Sequence, residues 1–212
     1  MDRWATFDCY GTLIDWNGGI GRELERLFGA DRASQMLHRY HEVEPEVQRE
    51  EPTRSYRDVL ALTLARLGDV PADEADALGR SLPSWPVFPE VRDSLEEARS
   101  RGWKLAILSN TDREFIDASM ERIGVPFELA IVASEIGSYK PAHGHWDAFR
   151  EQITPDVHVH VGASLFHDIA PARELGLRTI WINRLGEDPH PRPDVELRTL
   201  TGLADGLDSL SA

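Results

Sequence analysis

The chain has 212 residues, of which 41% are hydrophobic and 28% charged, and this composition excludes a disordered, fibrous or small disulfide-stapled protein. Its 37 acidic and 23 basic residues give a formal net charge of −14, which disfavours nucleic acids and anionic membranes as partners. The single cysteine, Cys9, excludes an intramolecular disulfide and a cysteine-based zinc site. We expect neither a signal peptide nor a transmembrane segment, and therefore a cytoplasmic protein.

The first predicted element is a strand over residues 4–8, and the region after it is helical. Residues 15–85 contain no clear strand, but amphipathic patterns predict helices over 21–28, 33–50 and 56–67. Gly18 and Gly19 are interpreted as a turn before the first of these helices. The proline-rich segment 82–89 is typical of a hinge. We therefore expect a helical domain of residues 15–85, inserted into a core domain of residues 1–14 and 86–212.

The rest of the chain alternates short apolar runs with helical patterns, which is typical of βαβ units and a parallel sheet. The predicted strands cover residues 103–109, 129–133, 157–162 and 178–183. The predicted helices cover residues 89–100, 114–123, 146–152 and 169–175. With the first strand, these elements predict a three-layer α/β sandwich. The acidic segment 185–193 is expected to be a solvated loop without a special role.

Polar side chains follow the predicted strands, at the edge where open parallel sheets bind ligands. Asp8 ends the first strand, so its carboxylate is a candidate nucleophile, and Thr12 could hydrogen-bond it. Lys140 could keep this carboxylate ionised. Further polar residues at strand ends are Ser109, Asn110, Ser164 and Asp168. Taken singly, each also fits a structural role as a helix cap, a turn residue or a solvated lysine.

Four motifs in this order resemble those of the haloacid dehalogenase superfamily. They are Phe7-Asp8-Cys9-Tyr10-Gly11-Thr12-Leu13, Leu108-Ser109-Asn110, Tyr139-Lys140-Pro141 and Gly162-Ala163-Ser164 with Asp168. The resemblance spans the whole chain. It implies an aspartate nucleophile at Asp8, a Rossmann-like core with a parallel sheet, and a helical cap inserted after the first motif.

Two departures separate the chain from the phosphatases of this superfamily. Those enzymes usually carry a second aspartate where this chain has Tyr10, and an acidic magnesium ligand where it has Ala163. A hard divalent cation needs several oxygen ligands, so the loss of a carboxylate weakens magnesium binding. The pattern resembles instead the L-2-haloacid dehalogenase branch, which displaces halide from a small 2-haloalkanoic acid through an aspartyl ester and needs no metal or other cofactor.

This resemblance implies a role for each matching residue. It makes Asp8 the nucleophile, oriented by Thr12, and places Lys140 and Asp168 at the hydrolytic water. Arg39, in the first part of the cap, and Asn110 would hold the halide, and Ser109 the substrate carboxylate. The other residues expected to contact the substrate are Tyr10, Trp146 and Ser164. The implied partner is a small anionic substrate, and the protein could be a monomer or a homodimer.

Other departures keep two alternatives open. The dehalogenases usually have polar residues where this chain has Ala163 and Leu165, a tyrosine where it has Trp146, and often an aromatic residue where it has His167. The alternatives are a magnesium-dependent phosphatase acting on a small phosphate ester, and a catalytically weak binding protein. Cys9 is expected to face away from Asp8 into the core, because side chains alternate along a strand.

Overall fold

A six-stranded parallel sheet forms the centre of the molecule, in the order β3-β2-β1-β4-β5-β6. The computed structural model describes residues 1–51, 53–68 and 70–211. The strands are β1 (Arg3–Phe7), β2 (Trp103–Ser109), β3 (Leu129–Val132), β4 (Val157–Gly162), β5 (Arg178–Ile182) and β6 (Val195–Leu197). The five predicted strands are confirmed. β6 was not predicted, because an edge strand of three residues is too short to show a period.

Ten α-helices surround the sheet in the described residues. They are α1 (Trp16–Phe28), α2 (Ala30–Glu50), α3 (Tyr56–Leu67), α4 (Ala77–Ser81), α5 (Val91–Ser100), α6 (Arg113–Ile123), α7 (Ala133–Ile136), α8 (Gly144–Gln152), α9 (Ala170–Glu174) and α10 (Leu203–Ser209). The predicted helices are all present, with ends shifted by a few residues. Three short helices, α4, α7 and α10, were not predicted.

Alternation along the strands divides the core between the two faces of the sheet. Ala5 and Phe7 of β1 belong to a large apolar cluster that includes buried residues of α5, α6 and α10. Trp4 faces the other way and packs with residues of α8 and α9. Helices therefore cover both faces, and the expected Rossmann-like α/β/α fold is confirmed. Cys9 is fully buried in the large cluster, as expected.

The helices α1 to α4 (Trp16–Ser81) lie between β1 and β2, and we call them the helical insert. The interpretation of Gly18 and Gly19 as a turn is wrong, because both belong to the start of α1. The side chain of Asp15 caps this helix by accepting a hydrogen bond of 2.9 Å from the amide of Gly18. Gly19 lies against the indole of Trp85, so its lack of a side chain allows the close packing.

The start of α3 is bonded to the core. The carboxylate of Asp112, which precedes α6, accepts hydrogen bonds of 2.9 Å from the amides of both Tyr56 and Arg57. The hydroxyl of Tyr139 donates to the carbonyl of Arg54 at 2.8 Å. A core carboxylate thus satisfies two amides of the first turn of α3, which otherwise lack partners within the helix.

No helix in the described ranges combines the length and the hydrophobicity required to cross a bilayer.

Two glycines of α1 give a matched test of packing. A Cβ at Gly19 would overlap the indole ring of Trp85, whereas at Gly21 the nearest atom, in Leu37, would be 3.8 Å away. We expect Gly19→Ala to lower the free energy of unfolding by about 1–3 kcal/mol through overpacking. Gly21→Ala should raise it by about 0.5–1 kcal/mol, because alanine favours the helix. Urea unfolding measures both, and equal stability of the two variants would contradict the packing described.

Candidate active site

The site forms beside β1, where the order in which the strands are added to the sheet reverses. Phe7, at the end of β1, pairs with Ile107 of β2 and Val161 of β4, so the three strands end side by side. β2 and β3 extend the sheet to one side of β1, and β4 to β6 extend it to the other. Such a switch point opens a crevice beyond the strand ends. A cavity of about 470 Å³ lies here, lined by residues that follow the strands and by residues of the helical insert.

Asp8 leaves β1 into this cavity and is held on one side by Thr12. The hydroxyl of Thr12 donates to Oδ2 of Asp8 at 2.9 Å and accepts from the amide of Ala163 at 2.9 Å. Gly11 takes a positive φ of 91°, a conformation that favours glycine, and so lets the chain turn back between these residues. Thr12 therefore lies where the resemblance expected an orienting residue.

Lys140 connects the two carboxylates of the site. Its Nζ donates to Oδ1 of Asp8 at 2.9 Å, to Oδ1 of Asp168 at 2.7 Å and to the carbonyl of Leu108 at 2.8 Å. The lysine is only 2% exposed, so all three ammonium hydrogens are used within the protein. Asp168 also accepts a bond of 3.1 Å from the amide of Ser164.

The shared ammonium separates the acidities of the two carboxylates. Burial raises the pKa of Asp8 to about 6, because Lys140 offsets the cost only in part and Asp168 adds repulsion. Burial acts on Asp168 in the same direction, but Lys140 and His160 together hold the pKa of Asp168 below its usual range. Burial also works against the charge on Lys140, yet Asp168 and Asp8 keep the pKa of Lys140 above its usual value. At neutral pH the site is therefore a carboxylate, ammonium and carboxylate in contact.

Asn110 holds Lys140 in place through its main chain. The side-chain amide of Asn110 donates to the carbonyl of Lys140 at 2.9 Å and accepts from its amide at 2.6 Å. Ser109, in contrast, lines the cavity with a hydroxyl that has no hydrogen-bond partner in the described part of the chain. Ser164 lines it too, and its hydroxyl accepts a bond of 3.0 Å from the amide of His167.

Tyr10 lines the cavity, but its hydroxyl is engaged outside the carboxylate cluster. It lies 3.0 Å from the hydroxyl of Ser119, and its ring stacks on Tyr56 at a centroid distance of 6.5 Å. Burial raises the pKa of Tyr10 well above its usual value, so the phenol is neutral. Tyr10 thus contributes an aromatic wall beside Asp8.

Two expected site residues lie outside the cavity. Arg39 is exposed and donates to the carbonyl of Arg66 at 3.2 Å. It precedes His41 by two positions, about 200° around a helix, and His41 is on the face of α2 that lines the cavity. Trp146 is fully buried under the sheet, where its ring lies 5.1 Å from that of His160. The structure therefore does not bring Arg39 or Trp146 to the expected substrate contacts.

Arg184 is a site residue that the sequence analysis missed. It lines the cavity, and its planar guanidinium lies 3.5 Å from the ring centre of Phe88. One guanidinium nitrogen donates to the carbonyl of Thr12 and to the carboxylate of Glu90, both at 2.8 Å. Its position just after β5 is the signal that could have identified it, by the same rule that selected Asp8.

The segment after Arg184 and one face of α2 also reach the cavity. Leu185 and Glu187 line it, and both are exposed to solvent, as expected for segment 185–193. From α2 come His41, Glu44 and Gln48, at the spacing of one helix face. In the sequence, Glu44 interrupts the apolar spacing of its helix, which is a signal that the analysis did not use.

The donor set does not fit a magnesium ion. The carboxylates of Asp8 and Asp168 are both bonded to the ammonium of Lys140, and Tyr10 and Ala163 supply no further charged oxygen. Magnesium requires octahedral oxygen coordination. Within residues 1–51, 53–68 and 70–211, no three histidine, cysteine or acidic side chains cluster as a metal site would require.

Loss of the shared ammonium should destabilise the fold in a pH-dependent way. Lys140→Met leaves two buried carboxylates without a cation, so we expect a loss of about 3–5 kcal/mol at pH 7. Without Lys140 the pKa of these carboxyls in the folded state rises above the unfolded value, so the loss should shrink as pH falls towards 5. Urea unfolding at pH 5 and 7 measures it.

Lys104→Met provides the control, because Lys104 is exposed and pairs with Asp2 at the surface. That change should cost less than about 1 kcal/mol at either pH. A similar, pH-independent loss for both variants would contradict the role given to Lys140.

The chain is similar to known proteins along most of its length. The haloacid dehalogenase-like hydrolase family matches residues 3–176. The chain is 31% identical to the (S)-2-haloacid dehalogenase of Pseudomonas sp. strain YL, over 94% of this chain and 91% of that protein. It is 30% identical to the phosphoserine phosphatase of Thermus thermophilus, over 59% of this chain and 53% of that protein.

Among solved structures, the L-2-haloacid dehalogenase RSc1362 superposes with a TM-score of 0.86 at 22% identity, covering 98% of this chain and 99% of that one. At this identity the likeness establishes the fold. The family match covers most of the sequence, including Asp8, Lys140 and Asp168. The chain belongs to the haloacid dehalogenase-like hydrolases.

Proposed function

We propose that the protein releases halide from a small 2-haloalkanoic acid through an ester formed on Asp8, without a metal ion. One observation carries the proposal: the carboxylate of Asp8 faces a cavity while a buried ammonium, that of Lys140, holds one of its oxygens. A pKa of about 6 leaves Asp8 ionised at neutral pH. The similarity to an (S)-2-haloacid dehalogenase along nearly the whole chain supports the same chemistry.

In the first step, an oxygen of Asp8 attacks the carbon that bears the halogen. A carbon–oxygen bond forms as the carbon–halogen bond breaks, and the halide leaves with the bonding electron pair. Thr12 and Lys140 each hold one oxygen of the carboxylate, which fixes its plane relative to the substrate. Such positioning lowers the entropic part of the barrier.

In the second step, water adds to the carboxyl carbon of the Asp8 ester and the hydroxy acid leaves, which restores the carboxylate. Negative charge develops on the ester carbonyl oxygen during this addition. The ammonium of Lys140, next to Asp8, stabilises that charge. Asp168 keeps Lys140 in place and offers an acceptor for the water. The net reaction consumes one water and releases a halide ion and a proton.

The substrate carboxylate needs a local cation, since the net charge of −14 provides no long-range attraction. We assign this role to Arg184, with Ser109, whose hydroxyl has no hydrogen-bond partner among the described residues, as a second donor. A planar guanidinium suits a carboxylate.

The identity of Tyr10 favours dehalogenation over phosphate transfer. The phosphatases of this superfamily usually have a carboxyl group there to protonate the leaving alcohol, whereas the hydroxyl of Tyr10 is neutral and bonded to Ser119. The ammonium of Lys140 already pairs with one carboxylate oxygen of Asp8 and one of Asp168.

Chloride release from (S)-2-chloropropionate tests the proposed reaction. We expect turnover that persists in EDTA, and Asp8→Asn should reduce it by more than about 10³-fold because the nucleophile is lost. Mass spectrometry should detect an ester adduct on Asp8 during turnover. Asp93→Asn, an exposed change on α5, is the control and should retain activity. Chloride release that requires magnesium, or hydrolysis of phosphate esters alone, would contradict the proposal.

Steady-state kinetics distinguish the contributions of Arg184 and Arg39 to substrate binding. Arg184→Gln should raise KM for 2-chloropropionate about 10- to 100-fold, the cost of a charge-assisted hydrogen bond. Arg39→Gln should change KM less than about twofold, since its side chain faces solvent. The unfolding midpoint is followed in parallel, because Arg184 also bonds Glu90. A larger effect of Arg39→Gln on KM would show that the assignment to Arg184 is wrong.

A further inference from the structure

The cavity is larger than a three-carbon haloacid requires. Its volume is about 470 Å³. A chloropropionate ion has six heavy atoms. If each takes about 30 Å³, the volume of one molecule in liquid water, the ion fills only about 180 Å³. The remaining space extends from Asp8 to the face of α2 that carries His41, Glu44 and Gln48. A longer substrate that reacts at Asp8 would therefore meet α2 with its far end.

Glu44 is the unusual residue on that face. It is only 6% exposed and lies on the buried side of α2 with Met36, Tyr40 and Val47. Its single side-chain hydrogen bond in the described residues is with the amide of Gln48, and no lysine or arginine of the described chain forms an ion pair with it. Burial raises the pKa of Glu44 to about 7. A buried carboxylate without a cation is costly, and a cationic ligand would offset that cost.

The surroundings of Glu44 add acceptors. Pro45 lies inside α2 and has no amide hydrogen, so the helix bond that residue 45 would donate to the carbonyl of His41 is missing. Burial lowers the pKa of His41, so its ring is neutral and supplies no positive charge. Among the described residues of α2 that line the cavity, Glu44 is therefore the only one with a charged side chain, whereas the core side carries the guanidinium of Arg184.

The charges that line the cavity also favour a cation at the far end. The acidic side chains are Asp8, Asp15, Glu44, Asp168 and Glu187, and the permanently basic ones are Lys140 and Arg184. Lys140 is already shared between two of the carboxylates, and Arg184 is bonded to Glu90. A second carboxylate on the substrate would meet repulsion at Glu44, but an ammonium group would be attracted.

We propose that Glu44 determines specificity by binding an ammonium group at the end of the substrate opposite to the reacting carbon. The substrate class is then a 2-halo acid with a distal amino group, and in this respect the inference rests on the proposed function. The carboxylate of the substrate lies on the core side with Arg184, and the ammonium lies against α2. Each charged group of the substrate then faces a side chain of opposite charge, the carboxylate facing Arg184 and the ammonium facing Glu44.

Binding of halogen-free acids tests this without requiring turnover. Isothermal titration at pH 8, above the pKa of Glu44, compares 4-aminobutyrate, 4-hydroxybutyrate, butyrate and succinate. We expect the wild type to bind 4-aminobutyrate at least about 10-fold more tightly than butyrate, with 4-hydroxybutyrate between them and succinate weakest. Glu44→Gln, which keeps the shape of the side chain, should remove the preference for 4-aminobutyrate over butyrate.

Glu46→Gln is the matched control, because Glu46 is exposed on the same helix. It should keep the wild-type preference. Equal affinity of the wild type for 4-aminobutyrate and butyrate, an unchanged preference in Glu44→Gln, or binding of none of the four acids would overturn the assignment. Chloride release from 2-chloropropionate is measured on the same samples, so a failure of the proposed reaction is seen separately from a failure of the Glu44 selectivity.

Discussion

The buried ammonium of Lys140 is the interaction on which the site depends. Two carboxylates within one cavity repel each other, and burial makes each charge more costly. The Nζ of Lys140 lies 2.9 Å from the carboxylate of Asp8 and 2.7 Å from that of Asp168, and so holds the two together. The pKa of Asp8 is raised and that of Asp168 is lowered, which makes Asp168 the stronger acid. The arrangement needs a third acceptor for the ammonium, which the carbonyl of Leu108 supplies at the end of β2. Residues from three separate strand ends are therefore fixed by one side chain.

The strand-end residues were predictable from the sequence because a parallel sheet fixes where they meet. Asp8 and Ser109 follow apolar runs that could be identified without an alignment, and strand pairing in register places them at one edge. The same rule would have selected Arg184, but this residue lies between the last predicted strand and segment 185–193, which was expected to be a solvated loop. Short elements such as β6 depend on tertiary contacts and leave no period to detect.

Contacts made by the helical insert were the least predictable part. Arg39 was selected because the resemblance implies an arginine in the first part of the cap, whereas the side chains that reach the cavity depend on how α2 is rotated against the core. A displacement of two positions along a helix is enough to exchange an inward for an outward residue. Glu44 could have been noticed as a charged residue on the face of α2 that carries Met36, Tyr40 and Val47. Its contact with the cavity could not be predicted without knowing which residues of the core face this helix. Family membership thus defines the reacting end of the cavity better than its far end.

The carboxylate of Asp112 joins the helical insert to the core beside the nucleophile. Its two hydrogen bonds reach the amides of Tyr56 and Arg57, and Tyr56 lines the cavity and stacks on Tyr10. The aromatic wall of the site is therefore built from one core residue and one insert residue. A change at Asp112, which does not itself line the cavity, would reach the surface that faces the substrate through Tyr56.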